Sequence, residues 1–277
     1  MVFTTMKVYV TSPQFRRFLP DWITVIVLIV LFFNVTEVAQ PFIRQFSISD
    51  PSISHPFATQ ERVTDNQLYV LSLFVPSITI ILLSLVKKAD KSNNSLANTT
   101  NNSFIERVHL IQVSNVGLWF GVCFAAVITD VLKCWIGNPR PDFLARCGPL
   151  KGTPENRLVG IEVCTAPLGT MYLLDGMKST PSGHSSMAFA GLLYLTLWII
   201  GQFKLLHGRK MVGYIIASCT PLVLASYIAL SRTQDYRHHF FDVCFGSLLG
   251  IGIALVSYTK YFNPLRDEKS NVPIEYA

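Results

Sequence analysis

Residues 68–86, LYVLSLFVPSITIILLSLV, carry no charged side chain and have the length that one helix needs to cross a bilayer core. The run is apolar all round, where the helix of a soluble domain would show a polar face. Its internal Pro76 is tolerable as a kink in a membrane helix. Five further runs of this kind lie in the chain: Trp22 to Phe33, continuing through Val35 and Val38; Val108 to Leu132; Ser185 to Phe203; Val212 to Leu230; and Phe240 to Tyr258. The expected fold is therefore all-α, a polytopic membrane protein built as a six-transmembrane-helix bundle. Residues 1–21 form an N-terminal tail, 22–260 the six-span domain and 261–277 a C-terminal tail.

Composition agrees with a membrane as the solvent. Half of the 277 residues are hydrophobic and 14% are charged, against roughly a quarter charged in a soluble domain. No small-residue cleavage site follows the first run, so it is read as a retained span and not as a signal peptide. The net charge of +6 is spread between the apolar runs and forms no dense basic stripe with interleaved aromatics, which argues against a nucleic-acid partner. The six cysteines include no CxxC pair and no Cys/His set at zinc-ligand spacing, so neither a metal nor a cofactor is expected. Cys147 and Cys164 share one polar loop and could pair if that loop faces an oxidising lumen. The aromatics are expected in core packing and interfacial belts, not in a cofactor box.

Six spans put both termini on one side. Lys87, Lys88, Lys91, Arg107, Lys204, Arg209 and Lys210, with Lys7, Arg16, Arg17, Lys260, Arg266 and Lys269 in the tails, all lie on that side. The positive-inside bias makes it cytoplasmic. Loop 133–184 and segment 231–239 then face the lumen or exterior together. The sequons at Asn93, Asn98 and Asn101 fall in an Asn-rich cytoplasmic loop, 87–107, where they would not be used.

On the opposite face stand three polar stretches: Lys133-Cys-Trp-Ile-Gly-Asn-Pro-Arg140-Pro141, Pro181-Ser182-Gly183-His184, and Ser231-Arg232-Thr-Gln-Asp-Tyr-Arg-His238-His-Phe-Phe-Asp242. Each has a plain structural reading alone. Lys133 and Arg140 can be snorkelling anchors, Ser182 a helix N-cap, and His238 with Asp242 an ordinary i, i+4 pair. Together they make the parts of a metal-free phosphate-ester hydrolase, which needs cations and amide donors for the non-bridging oxygens, a nucleophile and an acid. Lys133, Arg140 and Arg232 are the cations. Ser182 and the Gly183 N–H open a helix, where an anion is favoured. With Asp242 one turn along to take its N–H, His238 would be the nucleophile, and His184 the acid. Asp130 could orient or neutralise Lys133, and Asp235, Arg237 and His239 are supporting residues.

These positions match in full the signature K-x6-R-P, P-S-G-H and S-R-x5-H-x3-D, and the chain resembles the type 2 phosphatidic acid phosphatase superfamily, which includes lipid phosphate phosphatases. The stretches SISHPFATQERV, RPDFLARC and SRTQDYRHHFFDV look like fungal members that act on diacylglycerol diphosphate. The resemblance implies six spans, no magnesium requirement and a phosphohistidine intermediate. It implies a lipid phosphate substrate held in the bilayer; the oligomeric state stays open. Phosphatidate, diacylglycerol diphosphate, a long-chain base phosphate and an isoprenoid diphosphate are all candidate substrates. Lipid phosphotransfer and vanadate-dependent haloperoxidation are alternatives within enzymes; a phospholipid-binding scaffold and a transporter stand outside them. The expected location is a vacuolar or other endomembrane, or the plasma membrane, with the site on the non-cytoplasmic face.

Overall fold

A computed structural model describes residues 9–87, 100–208 and 211–274, without the side chains of 100–103. Asn93 and Asn98, and the side chain of Asn101, lie outside the described residues. The fold is all-α. Among the described residues, six helices are long and apolar enough to cross a membrane: Pro13–Thr36, Asp65–Val86, Phe104–Ile136, Gly183–Gln202, Val212–Gln234 and Phe240–Tyr261. Among the described residues, β pairing is limited to isolated bridges.

At the end of the bundle that carries the polar stretches, the helices overrun the apolar runs by polar residues. Lys133 lies inside the third span, Ser231 and Arg232 inside the fifth, and Ser182 caps the fourth. A backbone leaving the bilayer keeps its helical hydrogen bonds until something else satisfies them, so the chemistry sits on helix ends and not in loops. The second span passes Pro76 without breaking, because a π turn over Val70–Phe74 precedes it and widens the helix where the proline lacks its N–H.

The fourth span is the axis of the bundle: 78% of its apolar window is buried, against 22% for the first and fifth. Small residues allow this. A Cβ on Gly191 would strike the Ser72 carbonyl of the second span, and one on Gly246 of the sixth span would strike the Ser182 carbonyl. Polar contacts then tie neighbouring spans. Trp198 Nε1 donates to Ser114 Oγ at 2.7 Å, Ser257 Oγ to the Gly117 carbonyl at 2.6 Å, and Thr129 and Ser186 hydroxyls meet at 2.7 Å.

Above one end of the bundle, residues 37–64 and 137–182 build a cap with its own small core of Phe46, Ile53, Phe143, Val159, Leu173 and Met177. A Cys147–Cys164 disulfide closes part of it. Arg146, fully buried, pairs with Asp142 at 2.9 Å and Asp175 at 2.8 Å, which anchors the turn after the third span. At the same end Trp135, Phe240 and Phe241 point outward, 75%, 66% and 70% exposed.

Candidate active site

The three polar stretches meet under this cap. At the start of the fourth span, Ser182 accepts from the Ser185 N–H, and its own N–H donates to the Asp242 carbonyl at 3.0 Å. That bond sets the starts of the fourth and sixth spans side by side, so two helix N-termini share the end of the bundle where the cations lie. A Cβ on residue 183 would stand 3.1 Å from Lys133 Nζ, so glycine here leaves the ammonium room over the first turn. Asp130 steadies Lys133 from 3.4 Å. Arg140 is held by Asp175, through Nε to its carbonyl at 2.9 Å and Nη2 to its carboxylate at 2.8 Å. Arg232 is buried, with Nη1 donating to the Val63 carbonyl at 2.9 Å and Nη2 paired with Glu61 at 3.0 Å.

His238 is placed differently from what its spacing suggests. The sixth helix begins at Phe240 with His239 as N-cap, so His238 stands ahead of it and the one-turn relation to Asp242 does not arise. Instead His238 Nδ1 lies 2.7 Å from the Ser179 carbonyl. A carbonyl only accepts, so Nδ1 carries the proton and Nε2 of the neutral ring keeps its lone pair. Asp242 is reached by other donors: Ser179 Oγ at 2.6 Å, Thr180 Oγ1, and the His239 N–H at 2.9 Å. It therefore holds the 179–180 turn, and that turn holds His238.

The two adjacent histidines are in opposite states. Burial pushes the His238 pKa well below the ordinary value, and the nearby positive charges of Arg140, Lys133 and Arg232 push it further. His239 is raised, first by its bond to Asp242 against the cost of burial, with Nδ1 at 3.1 Å from that carboxylate and Nε2 at 3.1 Å from the Ser52 carbonyl. Both partners are acceptors, so only the imidazolium can serve both. Stability should respond on two sides of neutrality. The His238 contribution is complete above about pH 6.5 and is lost as pH falls toward its depressed folded value. The His239 contribution is complete below about pH 6.5 and is lost as pH rises through its raised folded value. Unfolding midpoints in detergent should therefore drop in both directions, with His238→Asn flattening the acid side and His239→Asn the alkaline side.

His184, buried, sets Nε2 3.0 Å from the Val63 carbonyl, which assigns the proton to Nε2 and leaves Nδ1 facing Asp65 at 3.8 Å. Residues of the cap and of the second span thus complete the site: Glu61, Val63, Asp175 and Ser179 from the cap, and Asp65 from the start of the second span. The stretch SISHPFATQERV contains Glu61 and Val63, but its residue types alone gave them no role. Asp175 carried no signal at all. Among the described residues, no group of three or more His, Cys, Asp or Glu side chains is arranged to hold a metal ion.

The family model of the PAP2 superfamily matches residues 115–266, from the third span to just past the sixth. Diacylglycerol pyrophosphate phosphatase 1 of Saccharomyces cerevisiae is 44% identical over 255 residues, covering 90% of this chain and 81% of the yeast protein. Lipid phosphate phosphatase 2 of Arabidopsis thaliana is 30% identical over 262 residues, 94% of this chain and 83% of the plant protein. No solved structure matches. The matched segment carries all three polar stretches, and with near full-length identity to these two phosphatases it settles descent: the chain belongs to the PAP2 superfamily.

Proposed function

We propose that this protein removes a phosphate from a membrane-borne lipid phosphate or diphosphate, with diacylglycerol diphosphate and phosphatidate the foremost substrates. Its yeast and plant relatives carry the names of such enzymes. One observation supports the reading above others: Arg140, Lys133 and Arg232 all lie close enough for their charge to bear on His238. A buried neutral imidazole ringed by cations is a poor place for a proton and a good one for a phosphoryl dianion.

In this mechanism Lys133, Arg140 and Arg232 draw the non-bridging oxygens, aided by the Ser182 hydroxyl and the Gly183 N–H. His238 Nε2 attacks phosphorus, the bond to the lipid oxygen breaks, and its electron pair leaves with that oxygen. His184, entering as the imidazolium with its Nε2–H kept on the Val63 carbonyl, gives that oxygen its Nδ1 proton. Water then attacks the phosphohistidine, with His184 now as base, and releases inorganic phosphate. Three cations supply the charge stabilisation that a divalent ion would otherwise give, so magnesium is not required. Support for a lumenal or exterior site comes from the Cys147–Cys164 bond in the cap, since disulfides persist on that side of cellular membranes.

Purified protein in detergent micelles, offered phosphatidate, diacylglycerol diphosphate and farnesyl diphosphate with EDTA present, tests this. The expected result is phosphate release from at least the first two at the rate seen without chelator. Complete loss of activity in EDTA would overturn the metal-free mechanism, and inactivity on the whole panel without chelator would overturn the function.

A further inference from the structure

Glu61 divides its carboxylate between two arginines. Oε2 lies 3.0 Å from Arg232 Nη2 and Oε1 lies 2.6 Å from Arg237 Nη2. The function above uses Arg232 on the phosphate and gives Arg237 no role. Yet Arg237 is as carefully built. It is 6% exposed, with its guanidinium 4.5 Å above the Phe57 ring, where Arg146 also lies 5.1 Å away. Its other polar contacts are long, 3.4 Å to the Ala58 carbonyl and 3.6 Å to Asp142. The Nε atoms of Arg232 and Arg237 are both buried without a hydrogen-bond partner.

Burying a guanidinium with an unanswered N–H is costly, and a chain that keeps two such groups side by side has donors waiting for an acceptor. A carboxylate bridging two guanidinium forks has the charge and the oxygen spacing of one face of a phosphate. Glu61, at 22%, is more exposed than either arginine, and it sits on the first loop, where it can move away without disturbing a span.

We propose that Glu61 occupies a second phosphate position, and that Arg237, sharing Arg232 with the first, makes the protein selective for diphosphates. This rests on the function proposed above and narrows its substrate class. With a lipid diphosphate bound, the terminal phosphate lies among Lys133, Arg140 and Ser182. The inner phosphate displaces Glu61 and takes the Arg232 and Arg237 donors. When His238 attacks the terminal phosphorus, the bridging P–O bond breaks and its electron pair stays on the inner phosphate, beside the Arg237 charge. A lipid monophosphate leaves this second position to Glu61.

The test compares methylenediphosphonate, in which a CH2 replaces the bridging oxygen and nothing can be cleaved, with methylphosphonate. Both are titrated calorimetrically into purified full-length protein in detergent. The wild type should bind the diphosphonate at least about tenfold more tightly. Arg237→Gln should weaken it about tenfold to a hundredfold, with methylphosphonate changed by no more than about twofold, and Arg237→Lys should recover part of the loss. Glu61→Gln removes the competing anion and should tighten diphosphonate binding several-fold. Opposite signs from the two halves of one ion pair are what a structural strap cannot give. If both variants weaken diphosphonate binding, if Arg237→Gln weakens the two ligands equally, or if the wild type shows no preference, the second position does not exist. Because neither probe turns over, a protein that prefers the diphosphonate but hydrolyses no lipid phosphate would overturn the proposed function and not this position.

Discussion

Alanine in place of His238 is expected to lower kcat on phosphatidate or diacylglycerol diphosphate by about 10^4-fold or more, the scale seen when a covalent hydrolase loses its nucleophile. No neighbour can take over. Nε2 is the atom left with a free lone pair, since the Ser179 carbonyl fixes the proton on Nδ1. His184 is turned by Val63 into a different hydrogen-bonding role. His238→Asn is the sharper control: its amide N–H can still reach the Ser179 carbonyl, but no nitrogen remains that can attack phosphorus. Substrate labelled in its terminal phosphate should leave an acid-labile label on the wild-type protein and none on either variant. Turnover retained by His238→Ala would remove it as nucleophile.

Asp242→Asn should cost less, on the order of 10^2-fold in kcat with KM little changed. Where a carboxylate directly orients a catalytic imidazole, the same exchange costs about 10^4. Here Asp242 is a positioning residue acting at one remove. It receives the Ser179 and Thr180 hydroxyls, and the Ser179 carbonyl takes the His238 proton. An asparagine keeps one acceptor oxygen but turns the other into a donor, so part of the turn loosens and His238 is left with a wider range of orientations. Ser179→Ala, which removes one hydroxyl from the carboxylate and keeps the carbonyl, should cost about tenfold. Asp242→Asn should also erase the alkaline fall in stability, because the His239 imidazolium loses its main partner. A loss as deep as that of His238→Ala would mean that Asp242 and His238 touch in the working enzyme, as their spacing first suggested.

The spans were legible because the bilayer demands an unbroken apolar run, a strong one-dimensional signal. So were the cations and histidines, since Lys133, Arg140, Ser182, His184, Arg232 and His238 come in short dense stretches at span ends. What could not be read is what holds them. Arg140 depends on Asp175, Arg232 on Glu61 and Val63, and His184 on Val63 and Asp65. Those partners arrive from loops far along the chain, with no periodicity to announce them. The His238–Asp242 spacing misled for a local reason. A separation of four implies one turn only if both residues are helical, and a helix that starts at Phe240 excludes the first of them. Loop 133–184 reads as a polar loop because its apolar residues are few and spread out, and they form a core only when Phe46 and Ile53 of another loop join them.

The outward rings of Trp135, Phe240 and Phe241 bracket the same end of the bundle as Lys133 and His238. An indole such as that of Trp135 settles at the level of lipid head groups and the two phenyl rings among the acyl chains, so a substrate can meet the cations while its tails remain in the bilayer. Encounter then takes place in a sheet and not in a volume. The quantity that sets the rate is the mole fraction of substrate in the surface: adding inert detergent or lipid at fixed total substrate should slow the reaction, although nothing in bulk solution has changed.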